Sequence, residues 1–214
     1  MASMDDERVR VLFVCHANLC RSPMAERLMR REILDRLGPD GATFQAISAG
    51  THAWTNQAMH PYAAEVLEES GADTTGFRSR RLTAGLVARA DLVLTATRRE
   101  RSACVTFEPA AVRRTFTIPQ FGRYAAAMST YTLTAVWPPQ KRLHSLIELL
   151  ALIRGELPVV TLDEDDLPDP VDRPLQAFRR CGAEIEQVIE VMTALIAPIP
   201  WARQAPSGLP ASLH

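Results

Sequence analysis

The stretch that most constrains this chain is Val9 to Val14 (VRVLFV), which stops at Cys15 and is followed by Ser22-Pro23. A short, β-branched and nearly continuous apolar run suits a strand buried on both faces, as in parallel sheets. Serine at an N-cap and proline at the first helical position suit a helix start. Helical spacing then runs through Met24, Leu28, Ile33, Leu34 and Leu37 until Gly38-Pro39. The residues between, Cys15 to Arg21, form a loop that brings several backbone N–H groups to one point, where the helix dipole adds positive potential. A thiol at the start of such a loop is expected to be held as thiolate by those N–H groups and by Arg21. Arg21 can fold back and grip two phosphoryl oxygens with its planar fork. Sulfur attacking phosphorus in line then needs no separate base, although the departing oxygen still needs an acid. A buried cysteine ending a strand is otherwise only core. What favours the catalytic reading is its place between a strand and a Ser-Pro helix start.

Downstream, short apolar runs and helical patterns alternate. Strands are expected at Phe44 to Ser48, Asp91 to Thr95 and Thr115 to Ile118, and helices at Pro61 to Ser70, Thr83 to Ala90 and Arg98 to Thr106. Gly71 stands where a helix C-terminus favours glycine. That order implies a parallel α/β sheet with right-handed crossovers. Residues 119–157 break the rhythm with a helix at Phe121 to Met128, a Trp137-Pro138-Pro139 turn and an apolar helix at Arg142 to Ile153. An acidic loop, Asp163 to Pro174, precedes a long helix marked by Leu175, Phe178, Ile185, Val188, Ile189, Met192 and Leu195. From Pro198 onward, prolines and small polar residues predict a poorly ordered tail, so residues 1–197 read as one domain and 198–214 as an appendage.

Composition narrows the function classes. With 24 basic and 25 acidic side chains the formal charge is −1, which argues against a protein held on nucleic acid by phosphate neutralisation. Four scattered cysteines, Cys15, Cys20, Cys104 and Cys181, provide neither a disulfide framework nor paired zinc knuckles. No run approaches the ~18 apolar residues of a membrane span, and the acidic start lacks a signal-type apolar core. The chain reads as cytoplasmic and reduced, as a monomer or a homodimer.

The run Val14-Cys15-His16-Ala17-Asn18-Leu19-Cys20-Arg21-Ser22-Pro23-Met24-Ala25-Glu26 resembles the phosphate-loop signature of the low-molecular-weight protein tyrosine phosphatases. Ser48-Ala49-Gly50-Thr51-His52-Ala53-Trp54 resembles the loop that gives that family's pocket an aromatic wall, and Asp169-Pro170 resembles its general-acid motif. The resemblance, with the alternation above, implies a three-layer α/β/α fold on a central four-stranded parallel sheet, with the phosphate loop after the first strand and an inserted helical segment near 119–157. It implies that Cys15 forms a cysteinyl-phosphate, that Arg21 binds the phosphoryl group with the loop residues His16, Ala17, Asn18, Leu19, Cys20 and Ser22, and that Asp169 is the acid. Ser22, capping the helix, would help sulfur leave; Asn18 would brace the loop in a left-handed conformation that Asn tolerates. Cys20 matches a second loop cysteine that can trap an oxidised Cys15, or is a small core thiol. No metal or organic cofactor is implied.

The pattern departs from the family in four places. Val171 stands where an aromatic usually follows Asp-Pro, Phe77 where a His often braces the loop Asn, and Thr97 where an Asp often follows the third strand. Cys15 and Asp169 are also unusually far apart, the excess falling near Pro119 to Leu157, where it would form a lid, a fold decoration or a dimer face. With Trp54 as one wall and Val171 as the other, a stacked phenyl ring gains less than between two aromatics. The sequence therefore leans toward a small sugar or nucleoside phosphate monoester, with phosphotyrosine proteins as the alternative. An arsenate reductase, which would need a resolving cysteine pair, and a silent phosphate-binding module rank lower. His52 and His60 could face the pocket, and the Arg78-Ser79-Arg80-Arg81 and Arg98-Arg99-Glu100-Arg101 clusters are either solvated edges or an attraction for polyanions.

Overall fold

A computed structural model describes residues 8–128, 138–155 and 161–198. Four parallel strands, β1 (Val9–Cys15), β2 (Phe44–Gly50), β3 (Leu92–Thr95) and β4 (Thr115–Thr117), form one sheet in the order β2-β1-β3-β4. The helices are α1 (Arg21–Leu37), α2 (Pro61–Glu69), α3 (Ala84–Ala88), α4 (Arg98–Phe107), α5 (Ile118–Ala126), α6 (Pro139–Ile153) and α7 (Leu175–Ile196). Because successive side chains of β1 point to opposite faces, Val11 and Phe13 enter the core under α1, α5, α6 and α7, while Leu12 and Val14 enter the smaller core under α3 and α4. Both faces are covered, which gives the three layers expected from the unbroken apolar run.

The chain runs from β1 to β2 on one side and then crosses to β3 on the other. The ends of β1 therefore lie where the strand order reverses, and the crevice at its carboxyl end is the place where open α/β sheets bind ligands. Cys15 is the last residue of β1 and Arg21 the first of α1, so topology alone puts the phosphate loop there.

Most expected elements stand within a few residues of their places. α5 begins three residues earlier than expected, because the Thr117 hydroxyl accepts the Gln120 N–H at 3.2 Å and Pro119 sits in the first turn. α6 begins at Pro139 with Pro138 as its cap; Trp137 and the tail from 199 onward lie outside the described residues. Gly71 ends α2 with φ 76°, as its position after the helix requires.

The described helix α6, within the segment expected to form a lid, a decoration or a dimer face, lies away from the pocket. Arg142, fully buried, donates from Nε (3.1 Å) and Nη2 (2.6 Å) to the carbonyl of Leu195 near the end of α7. His144 meets Asp91, just before β3, at 3.3 Å, and Arg154 donates to Val112 and Thr115 at the start of β4. All these partners lie at the amino ends of strands or the carboxyl end of α7. α6 thus packs on the end of the sheet opposite Cys15.

The His144–Asp91 pair gives this docking a pH dependence. The hydrogen bond to Asp91 raises the His144 pKa above its ordinary 6.5, against burial. Burial alone would raise Asp91, but the His144 and Arg10 N–H bonds outweigh it and hold the carboxylate below 3.8. A raised histidine stabilises below its unfolded pKa and loses that effect as pH rises through the folded one; a depressed carboxylate does so in reverse. The pair therefore contributes most between about pH 3.8 and 6.5 and fades above, by no more than about 0.5 kcal/mol for so exposed a pair. Thermal unfolding of wild type and His144→Ala should differ more at pH 6 than at pH 8; an equal difference would contradict this.

Candidate active site

The phosphate loop is built by contacts that commit the Asn18 N–H to Cys15 Sγ and leave the N–H groups at the start of α1 for a ligand. α1 is capped at Cys20 without any side-chain hydrogen bond, and its first turn has no acidic residue. Its leading N–H groups are thus unpaired within the helix and face an anion site. The sequence placed the cap at Ser22, and the structure corrects this: Ser22 lies inside the first turn, and its Oγ is 3.0 Å from Cys15 Sγ. The cap falls earlier because Met24 already donates helically to the Cys20 carbonyl at 3.0 Å.

Cys15 Sγ also accepts the Asn18 backbone N–H at 3.2 Å. The Asn18 N–H is a fixed donor to the sulfur; the Ser22 hydroxyl, which also reaches the Ala49 carbonyl at 3.3 Å, can turn its proton to the sulfur as well. Asn18, with φ 56°, is the left-handed residue that turns the loop. Its side chain is fully used: Nδ2 donates to Ser22 Oγ and Ser48 Oγ, both at 2.9 Å, and Oδ1 accepts the Arg80 N–H at 2.8 Å. Ser48 Oγ in turn donates at 2.6 Å to Glu26, a buried carboxylate that Arg30 meets at 2.7 Å. The Arg80 amide and Ser48 thus brace Asn18, while Phe77 is buried in the core near Arg27. Gly50 closes the floor. A Cβ there would stand 2.7 Å from Asn18 N and from His16 O, so a side chain would push the loop out of place.

Arg21 is buried, with 5% of its surface exposed. Nη1 donates to the Leu167 carbonyl at 3.2 Å and Nη2 bonds Asp169, while Nε is buried without a partner. A phosphoryl oxygen would satisfy that orphan N–H, and its arrival would compete with Asp169 for the guanidinium. The acidic loop sorts itself: Asp165 pairs with Arg123, Asp166 with Arg98, and Asp172 is exposed with φ 60°. Of the carboxylates whose contacts are described, Asp169 is the one on Arg21.

The rim holds the remaining residues. His52 donates its backbone N–H to His16 O at 2.8 Å, and their rings stack at 4.5 Å. Trp54 follows with 83% of its surface exposed, and Val171, at 43%, is the exposed residue beyond Asp169-Pro170. Ala17 and Leu19 are half-buried; the Leu19 carbonyl accepts the His60 N–H at 2.9 Å. His60 itself caps α2 through Nδ1 and stacks on Phe178 at 4.6 Å, so it is structural rather than a pocket residue. Burial, then the charges of Asp169 and Cys15, push the Cys20 thiol up to about 12. Near neutral pH it is a protonated neighbour and not a second nucleophile. Sequence reasoning missed Glu26, Ser48 and the Arg80 amide; the signal for the first was a glutamate on a helix face otherwise occupied by core residues.

The family model for low molecular weight phosphotyrosine protein phosphatases matches residues 10–153. The chain belongs to this family. It is a cysteine-dependent phosphatase of the low-molecular-weight protein-tyrosine-phosphatase type. A probable low molecular weight protein-tyrosine-phosphatase, EpsP, of Ralstonia nicotianae is 30% identical over 144 residues, covering 67% of this chain and 88% of that protein. A protein-arginine-phosphatase of Geobacillus stearothermophilus is 34% identical over 181 residues, covering 85% and 91%. The low molecular weight protein tyrosine phosphatase of T. tengcongensis superposes with TM-score 0.61 at 26% identity, over 86% of this phosphatase and 96% of that chain. Among the described residues no helix is long and apolar enough to cross a membrane.

Proposed function

We propose that this phosphatase hydrolyses phosphotyrosine in proteins through a cysteinyl-phosphate on Cys15. The observation that carries the protein substrate is the open rim: Trp54 projects with 83% of its surface exposed, and the added helix α6 is docked at the far end of the sheet. An enzyme for a small metabolite gains by enclosing it, whereas among the described residues Trp54 and Val171 at this rim stay exposed, which suits a longer substrate. The names of the relatives, protein-tyrosine and protein-arginine phosphatases, agree with a protein substrate. Val171, apolar and exposed, offers an aliphatic second wall in place of the aromatic one, a weaker contact that lowers affinity without excluding the ring. Residues 119–157 are in this reading an addition within a single domain spanning 1–197.

The chemistry follows from the site. The phosphoryl group lies in the loop with its oxygens on Arg21 Nε and on loop amides other than that of Asn18, which bonds Cys15 Sγ. It displaces Asp169 from the guanidinium, and the freed carboxylate takes up a proton from solvent. Cys15 sulfur attacks phosphorus in line, the bond from phosphorus to the leaving oxygen breaks, and Asp169 gives that oxygen its proton. Water, losing a proton to Asp169, then attacks the cysteinyl-phosphate. The P–S bond breaks, Ser22 Oγ donates a hydrogen bond to the departing thiolate, and inorganic phosphate leaves.

Trp54→Ala should raise KM for a phosphotyrosine peptide about 10-fold, the order expected for loss of one stacking wall, and leave the inhibition constant of inorganic phosphate unchanged. Wild-type kcat/KM should be higher for that peptide than for sugar phosphates, nucleoside phosphates or a phosphoarginine peptide. A sugar or nucleoside phosphate turned over faster would overturn the protein reading in favour of a small ester, and preference for phosphoarginine would move it to an N-phosphoryl substrate.

A further inference from the structure

Asp169 lies between Pro168 and Pro170. Two prolines fix φ on either side and remove two N–H donors that could have tied the tip of the loop to the body. Asp169 is held directly by Arg21 and by the Val171 N–H, which its Oδ1 accepts at 3.2 Å. Once phosphate takes Arg21 from it, the place of its carboxyl depends on the stem, residues 165–167. The Leu167 carbonyl accepts Arg21 Nη1, and three further contacts hold the stem. Leu167 N donates to Ala96 O at 2.8 Å. Asp166 accepts the Arg98 backbone N–H at 2.8 Å and, from the same side chain, Nε and Nη2 at 3.2 Å each. Asp165 Oδ1 accepts Arg123 Nη2 at 2.7 Å.

The first two contacts come from the β3–α4 connection, next to the phosphate loop. The third comes from α5, at the start of the segment that breaks the strand–helix alternation. α5 is itself fixed against α7: a Cβ added at Gly122 would stand 2.5 Å from Val188 Cγ2, so the glycine permits a close approach that leaves Arg123 little freedom. The Arg123 guanidinium also lies over the Tyr124 ring, 5.5 Å from its centroid.

We propose that Arg123, with Arg98, positions the general acid: the Arg123–Asp165 pair fixes the stem from which Asp169 reaches the leaving oxygen. Arg123 bonds the stem and not Asp169, so it is a positioning residue. The proposal rests on the reading of Asp169 as the acid. Proton donation requires a heavy-atom approach of about 3 Å, and a stem free to swing spreads the carboxyl over a wider volume. The addition at 119–157 then serves the reaction through its first helix.

The leaving group distinguishes positioning from mere structure. A misplaced acid matters where the leaving oxygen is basic and hardly at all where it departs unaided. Arg123→Gln should lower kcat/KM about 10-fold for phenyl phosphate, part of the 10²–10⁴-fold that general acids supply, and less than about two-fold for 2,4-dinitrophenyl phosphate. Asp165→Asn should reproduce that pattern, and Arg123→Lys, which keeps the charge, should restore part of the loss. Equal losses across the aryl series, or none, in both Arg123→Gln and Asp165→Asn would overturn the proposal. Asp169→Asn, measured alongside, separates the two readings. If it steepens the leaving-group dependence while the stem variants do not, positioning fails and the acid stands. If it is flat across the series, Asp169 is not the acid, and the proposal falls with that reading.

Discussion

Cys15→Ser is expected to lower kcat for para-nitrophenyl phosphate by on the order of 10⁴-fold or more, as loss of an unassisted nucleophile does. The size follows from what surrounds the sulfur. Its contacts are the Asn18 N–H and Ser22 Oγ, both suited to hold a thiolate and neither suited to take a proton from an alcohol. Sulfur is intrinsically a strong nucleophile, whereas a serine hydroxyl is a weak one unless a base activates it. Phosphate binding should survive, because the loop amides and Arg21 are unchanged. Activity of Cys15→Ser near that of wild type would exclude the cysteinyl route.

Arg21→Lys is expected to cost about 10²–10³-fold in kcat/KM, the loss typical of removing one preorganised donor from a developing charge, or about 3–4 kcal/mol by the tenfold per 1.36 kcal/mol relation. Charge is retained, so the loss measures the fork. A guanidinium places Nη1 on the Leu167 carbonyl and Nη2 on Asp169 while keeping Nε in reserve. An ammonium on a flexible stem offers one point and cannot hold the acid loop and a phosphoryl oxygen together. Inorganic phosphate should bind more weakly in the same variant. A loss below about three-fold in kcat/KM would show that the loop amides, with the charge alone, account for phosphate recognition.

How much of this was legible in the sequence depended on how local each signal was. The strand–loop–helix unit at 9–37 carried its own evidence, since a doubly buried strand is a continuous apolar run and its carboxyl end in a parallel sheet meets a helix N-terminus. Gly71 after α2 was readable for the same reason, since it answers to backbone sterics within its own turn, and the left-handed Asn18 was expected from the family resemblance. Asp169 stood out among neighbouring aspartates by its Asp-Pro context. Its pairing with Arg21 came only from the fold, as did the commitments of Asp165 and Asp166 to arginines far away in sequence.

The misplaced cap at Ser22 shows the opposite limit. Ser-Pro is a sound local signal for a helix start, but here a tertiary demand, a hydroxyl beside Cys15 Sγ, holds Ser22 inside the first turn. Glu26 carried a faint signal, a glutamate on a core-facing helix position, but its role and that of Ser48 exist only once β2 lies against α1. The lean toward a small ester rested on one residue, Val171, standing where a second aromatic wall would be, and an exposed aliphatic side chain weakens ring stacking without deciding the substrate.

The central claim is that phosphate passes through Cys15. Mixing stoichiometric enzyme with para-nitrophenyl phosphate, then quenching and mapping peptides by mass spectrometry, tests it most directly. A burst of nitrophenol equal to the enzyme, with one phosphoryl group on the peptide carrying Cys15, is the predicted result. Nitrophenol released without any phosphorylated peptide, or with the phosphoryl group on another residue, would contradict it.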